Sequence, residues 1–197
     1  YWFDIEFELV AEFGGTWTDD DAHSLVGFDL LDSAHELRTR GGVQLDPVDV
    51  VERLLDGVIS RVADRLPWRP GAPELLAECV AADVPCVLVT MSWRGLADAV
   101  IAAAPPGSFV TSVTGDEVSN GKPDPEPYLA AAEAVGVDPA ACVAIEDSPT
   151  GVAAALAAGC ATLGVPHVVP VAAAPGLTLV DSLVGVGLAD LRGLHSG

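Results

Sequence analysis

Cys142-Val143-Ala144-Ile145-Glu146-Asp147-Ser148-Pro149 is the stretch that decides how this chain folds. A short apolar run of strand length ends in two adjacent carboxylates. A Ser-Pro pair follows, the signature of a helix N-cap and first helical position. Capping accounts for the serine and the proline. It does not account for two acids at the end of a core strand, which are costly there unless positive charge meets them. A hard divalent cation with oxygen ligands fits, and Mg²⁺ typically takes one or two carboxylates plus phosphate oxygens.

Strand and helix alternate on both sides of this stretch. Residues 73–82 read as helix and 84–89 as an apolar strand. Residues 96–104 are helical, 108–113 a short strand, 127–135 helical and 152–158 helical again. Residues 161–165 form a further strand, and 177–183 could add a last one. Strands that alternate with helices and lack outward polar residues predict a parallel sheet covered on both faces. Ligands then bind at the carboxyl ends of the strands, so the residues just after each apolar run matter most.

Upstream the pattern is different. Trp2, Ile5, Leu9 and Phe13 form one stripe at helical spacing, and Val48, Val51, Leu54, Leu55 and Val58 form another. No strand is legible there. Trp68-Arg69-Pro70-Gly71 reads as a linker. The expected organisation is a small helical domain over residues 1–68 and a Rossmann-like α/β domain over residues 69–197.

Composition bounds the function. Of 197 residues, 50% are apolar, enough to bury a core and exclude intrinsic disorder. With 29 acids against 9 bases the net charge is −20. That sign argues against non-specific nucleic-acid binding and against anionic membrane surfaces. It reads as a solubilising or salt-adapted surface. Residues 148–180 carry no charge, but Gly159, Gly164, Pro166, Pro170, Pro175 and Gly176 cut them into pieces too short to span a bilayer. Cys79, Cys86, Cys142 and Cys160 form no C-x-x-C pair and read as buried thiols in a reducing cytosol. His23, His35, His167 and His195 lack metal-ligand spacing. No secretory leader is legible; a cytoplasmic monomer is expected.

Two more polar clusters lie at strand ends. Thr90-Met91-Ser92 follows Val87-Leu88-Val89. A hydroxyl and free backbone N–H groups at such a turn can hold a phosphate, and the same threonine equally reads as a helix N-cap. Gly121-Lys122-Pro123-Asp124-Pro125 contains the chain's single lysine against eight arginines. A lysine in so Arg-biased a chain suggests that a compact point charge is wanted, held in a stiff turn. A surface lysine in a proline turn is the alternative. Arg94 is a second source of positive charge and equally a solvated helix residue. A phosphate cup, a fixed cation and an acid pair on one rim of one sheet are equipment for phosphoryl transfer.

These motifs resemble the haloacid dehalogenase superfamily, and within it the β-phosphoglucomutase-like phosphatases. The resemblance rests on Thr90-Met91-Ser92, on Gly121 to Tyr128, on Ile145-Glu146-Asp147-Ser148-Pro149-Thr150-Gly151-Val152 and on Ala157-Ala158-Gly159. It implies that residues 1–66 form a cap domain. It also implies roles: Thr90 holds the phosphoryl group, helped by backbone N–H groups of Met91 and Ser92. Lys122 neutralises phosphate and nucleophile. Glu146 and Asp147 hold Mg²⁺. Such enzymes attack phosphorus with an Asp, form an aspartyl phosphate and hydrolyse it with help from a second Asp.

Both of those Asp residues belong to a D-x-D-G-T motif upstream of the cap, whereas this chain begins at Tyr1-Trp2-Phe3. Asp19-Asp20-Asp21 follows no apolar strand, and Leu179-Val180-Asp181-Ser182 offers no second Asp. The expectation is therefore a chain lacking its central, nucleophile-bearing strand. That strand would lie between those ending at Thr90 and Ile145, leaving their edges exposed. Such a chain is expected to aggregate or stay partly unfolded. As given it would be inactive, a binding or scaffold protein at most. The expected activity of the parent protein is Mg²⁺-dependent hydrolysis of small phosphorylated metabolites, sugar phosphates foremost. A phosphomutase is the alternative, disfavoured because Trp2 and Gly27-Phe28-Asp29-Leu30 stand where mutases carry a His and an Arg. A dehalogenase would not need the acid pair. Phe28, Asp29, Asp32, His35 and Arg38 are candidates for the inner face of the cap.

Overall fold

The structure is a computed structural model that describes residues 1–196. Its first part is helical: α1 (Trp2–Glu12), α2 (Asp19–Ser24), α3 (Leu30–Thr39) and α4 (Pro47–Asp64). Local chemistry sets the starts. Thr18 and Asp21 cap α2 reciprocally, Asp29 accepts from the Leu31 N–H at 2.7 Å to start α3, and Pro47 opens α4. The Asp19-Asp20-Asp21 run is thus the first turn of a helix.

The predicted α4 stripe is buried at Val51, Leu54, Leu55 and Val58, joined by Val50 and Val62. Val48 lies outside the buried stripe and stays exposed, because it sits in the first turn on the outer side. Ile5, Leu9 and Val10 of α1 and Ala34 and Leu37 of α3 close the same cluster. Leu96 joins it from the helix that follows the first strand, with Trp93, Ala99 and Val100 packed alongside. The helical part and that helix therefore share one core.

This cluster encloses a carboxyl group. Glu6 is 5% exposed and accepts a hydrogen bond from the Trp17 indole N–H at 3.1 Å. Burial raises its pKa to about 7, the Trp17 bond offsetting part of that rise. The folded protein therefore holds a proton on Glu6 that the unfolded chain releases near pH 4.5. Stability falls as pH rises between about 4.5 and about 7, by roughly 3 kcal/mol at most. Glu6→Gln should flatten that slope and raise the denaturation midpoint at pH 8. An unchanged slope in urea titrations from pH 4 to 8 would refute the assignment.

The second part alternates as expected: α5 (Ala72–Ala81), β1 (Val87–Val89), α6 (Arg94–Ala103), β2 (Thr111–Val113), α7 (Glu126–Ala134) and β3 (Val143–Glu146). Then come α8 (Pro149–Ala157), β4 (Ala161–Gly164), β5 (Leu177–Leu179) and α9 (Leu188–Gly193). All pairings are parallel. β1 pairs with β2 through Val87–Thr111 and Val89–Val113; β3 pairs with β4 through Val143–Ala161 and Glu146–Gly164; β4 pairs with β5. Alternate residues of β3 face different clusters. Val143 packs with α5 and α9, and Ala144 with Tyr128 of α7 and Ala154 and Ala155 of α8. Helices thus cover both faces.

The sheet is divided into a two-stranded and a three-stranded part. Between β1 and β3 lies an apolar groove of about 540 Å³, walled by Val87, Leu88, Val89, Val143, Ala144 and Ile145. The predicted strands were expected to be buried on both faces, yet β1 is only half-buried and Ile145 is exposed. The groove is the reason: it removes one neighbour from each. The four cysteines line it as free thiols, two buried and two half-buried. No described helix is long and apolar enough to cross a membrane.

Candidate active site

The carboxyl ends of β1 and β3 meet at one rim of the groove, where Lys122 reaches both Val89 and Glu146. Thr90 follows β1 and donates its backbone N–H to the Val113 carbonyl at 2.9 Å. Its hydroxyl oxygen accepts from the Ser92 N–H at 3.1 Å, leaving the hydroxyl proton to donate. The N-cap of α6 is Trp93, so Thr90 organises the turn before that helix instead of capping it. Of the two backbone N–H groups expected to help, that of Ser92 is engaged by the Thr90 hydroxyl. Met91 acts by packing: its sulfur accepts from the Lys122 N–H at 3.2 Å. Gly115 lies against the Met91 backbone so closely that a Cβ would overlap its carbonyl. Only glycine allows the two loops to meet there.

Lys122 is brought into this turn. Its Nζ donates to the Val89 carbonyl at 3.1 Å and to Glu146 Oε1 at 2.5 Å, crossing from the β1 side to the β3 side. Its side chain is 10% exposed and that of Glu146 is 6% exposed. The surface-lysine alternative is therefore set aside: this is a buried ion pair with its hydrogen bonds made.

Glu146 and Asp147 part company at the end of β3. Glu146 turns inward. Besides Lys122, its Oε1 accepts from the Tyr128 hydroxyl, and Oε2 is approached by the Asp147 N–H at 3.3 Å and the Ser148 hydroxyl at 3.4 Å. Asp147 faces the rim. Crowding by protein atoms and then the charge of Glu146 push its carboxyl above the usual range, opposed by His167 and Lys122. A carboxylate held in that unfavourable state gains from a cation. Ser148 caps α8 as expected, accepting from the Gly151 N–H at 3.1 Å, and Pro149 takes the first helical position.

Tyr128 closes the Gly121–Tyr128 stretch, and the sequence reading gave it no role. It is buried on α7 under the site, its ring centroid 5.0 Å from the Lys122 Nζ. Burial, followed by the charge of Glu146, raises its phenol pKa well above the ordinary value, so it remains a neutral donor. The available signal was its place six residues after Lys122 on a core-facing helix, where a buried hydroxyl demands a partner. Arg69 and His167 were also passed over. The guanidinium Nη1 donates to His167 Nδ1 at 2.8 Å, which ties the linker to the loop after β4 beside Asp147.

Arg94 does not serve the site. Its guanidinium is held by Ser112 of β2 at 2.5 Å and by Glu117 and faces Asp98 of its own helix. Of the inner-face candidates, Asp29 is spent as the α3 cap. The Gly27 backbone sits against the Thr150 side chain, so the α2–α3 loop seats on the start of α8 and Phe28 beside it is exposed. Asp32, His35 and Arg38 are exposed on α3.

A donor set of this kind fits a hard cation in part. The oxygen donors are Asp147, exposed at the strand end, and the inward-turned Glu146, whose Oε2 is approached only at 3.3 and 3.4 Å. Among the described residues no three metal-ligating side chains cluster. Further oxygens would have to come from phosphate or from another segment.

The strand ends of this parallel sheet thus carry a hydroxyl turn, a buried lysine and an acid pair. The family model of haloacid dehalogenase-like hydrolases matches residues 6–159, and this chain belongs to that family. It is 43% identical over 94 residues to the protein CbbY of Rhodobacter capsulatus, covering 46% of this chain and 41% of that protein. It is 41% identical over 99 residues to hexitol phosphatase A of Escherichia coli, covering 49% and 44%. The matches thus span less than half the length of these two relatives. A crystal structure of CbbY from Rhodobacter sphaeroides in complex with phosphate superposes with a TM-score of 0.84 at 24% identity, covering 97% of this chain and 91% of that one.

Proposed function

We propose that the protein is a Mg²⁺-dependent phosphatase of small phosphorylated metabolites, sugar phosphates foremost, acting as a cytoplasmic monomer. The observation that carries this reading is the convergence of Thr90, Lys122 and Asp147 at the mouth of the groove between β1 and β3. Similarity to a hexitol phosphatase supports a polyol or sugar phosphate as substrate. The four helices before residue 65 serve as a cap, with the α2–α3 loop and Phe28 over the rim.

The groove suits a further parallel strand. Both walls are apolar, the carboxyl ends of β1 and β3 are both reached by Lys122, and a strand placed there would join the two part-sheets into one. We assign to that position a strand of the same polypeptide, upstream of Tyr1, carrying the nucleophilic Asp. The Asp oxygen attacks phosphorus, the ester P–O bond breaks and a second Asp protonates the leaving alkoxide; water then attacks the aspartyl phosphate, that Asp taking the water's proton and phosphate leaving. Thr90 donates its hydroxyl proton to a phosphoryl oxygen. Lys122 offsets the charge that gathers on the phosphoryl oxygens and the nucleophile. Asp147 and Oε2 of Glu146 would hold Mg²⁺, which would supply Lewis acidity toward the phosphoryl group.

The test is made on the full-length polypeptide from its source. An intact mass above 20.2 kDa, with p-nitrophenyl phosphate hydrolysis that EDTA removes and Mg²⁺ restores, is the expected result. Hexitol phosphates should then be hydrolysed faster than p-nitrophenyl phosphate. A mass equal to this chain, or hydrolysis indifferent to EDTA, would overturn the proposal.

A further inference from the structure

Three groups meet beneath the rim. The Tyr128 hydroxyl donates to Glu146 Oε1, the Lys122 Nζ donates to that same oxygen at 2.5 Å, and the Lys122 Nζ lies 5.0 Å from the Tyr128 ring centroid. Tyr128 thus touches both members of the ion pair. Its hydroxyl shares the oxygen that the lysine uses, and its ring face forms the floor under the ammonium.

An ammonium has three N–H donors. Two are assigned here, to Val89 and to Glu146. The third is available to the rim where Thr90 turns. How much of the Lys122 charge reaches the rim depends on how tightly Glu146 holds it. A buried carboxylate with no other donor on that oxygen concentrates its charge on the lysine. A phenol on the same oxygen draws part of that charge away.

We propose that Tyr128 is a positioning residue that shares Glu146 with Lys122 and so leaves the ammonium available to the transferring phosphoryl group. The inference rests on the phosphatase reading for its catalytic consequence, but the placement of Lys122 can be read independently. Tyr128 itself touches no substrate. The same geometry explains why a tyrosine, and not merely a large apolar residue, sits at this point of α7. Phenylalanine would fill the same volume and leave a buried carboxylate oxygen with one donor fewer.

Tyr128→Phe tests it, because the ring, its volume and its ring current are kept. In the ¹⁵N-lysine-labelled full-length polypeptide, the side-chain ammonium resonance that Lys122→Arg removes is that of Lys122. That resonance should move on Tyr128→Phe at unchanged far-UV circular dichroism. In the full-length enzyme, kcat for p-nitrophenyl phosphate should fall about tenfold with little change in KM. A tyrosine that only fills space would lower the melting temperature and move neither readout. An unmoved resonance overturns the proposal, and so does an unchanged kcat. If the full-length wild type shows no hydrolysis while the resonance moves, the phosphatase reading has failed and the placement of Lys122 by Tyr128 stands. Tyr128→Leu serves as the second variant: it removes ring and hydroxyl together and should move the resonance further than Tyr128→Phe. A smaller movement than that of Tyr128→Phe counts against the proposal.

Discussion

Lys122→Ala in the full-length polypeptide is expected to lower phosphate-monoester hydrolysis by about 10³-fold. Among the described residues the ammonium is the one cation paired with Glu146 at the strand ends, since Arg94 is engaged by Ser112 and Glu117 and the Arg69 guanidinium reaches His167. Removing it withdraws the positive charge facing the phosphoryl oxygens and strands Glu146, 6% exposed, with an uncompensated charge. Breaking a buried pair from one side costs about 3–5 kcal/mol, so the urea midpoint should fall as well. The two effects separate in Lys122→Arg. Arginine restores charge and should recover much of the stability. Its planar fork cannot reproduce a point charge that meets the Val89 carbonyl, one Glu146 oxygen and a tyrosine face together, so the rate should stay low. A rate for Lys122→Ala within threefold of wild type would remove the basis of the proposed chemistry.

What was legible in the sequence follows from where the signals are local. The alternation of apolar runs and helical stretches located β1 to β5, because a strand buried between helix layers must be continuously apolar. The Ser148-Pro149 cap was legible for the same reason: its partner, Gly151, is three residues away. Strand ends were read too long. Residues 84–86 and 108–110 are apolar enough for a strand, but Pro85 has no N–H to give and the ladder begins only at the Val87–Thr111 pair. The α9 helix was not read at all, being six residues long with a Gly187 N-cap. The split roles of Glu146 and Asp147 were also beyond sequence. Adjacent residues at a strand end point to opposite sides, and which side is buried depends on Tyr128 and Lys122, which reach it from another loop and helix. The same holds for Leu96, which belongs by pattern to the α/β part and by packing to the helical cluster. Pattern reports the period of burial. It does not report which partner does the burying.

Gly151→Ala should act against the usual rule for helices. In the first turn of a helix, alanine ordinarily stabilises relative to glycine by roughly 0.5–1 kcal/mol, through the unfolded chain's lost freedom. Here a Cβ at position 151 would overlap the Glu146 carboxylate. The carboxylate cannot withdraw without leaving Lys122 and Tyr128, and α8 cannot withdraw without loosening Ala154 and Ala155, which are fully buried against β3. Relief must come from one or the other, so the substitution should destabilise by about 1–3 kcal/mol. If the carboxylate gives way, Lys122 loses its anchor and kcat should fall about 10- to 100-fold. Gly193→Ala is the control, in α9, where no atom lies within 4 Å of the added Cβ. It should be neutral or slightly stabilising by urea denaturation and silent in the assay. Equal behaviour of the two variants would mean that Gly151 is an ordinary helix glycine and that the Glu146 carboxylate is free to move. In that case the lysine is held by Val89 alone, and the expected loss for Tyr128→Phe would disappear with it.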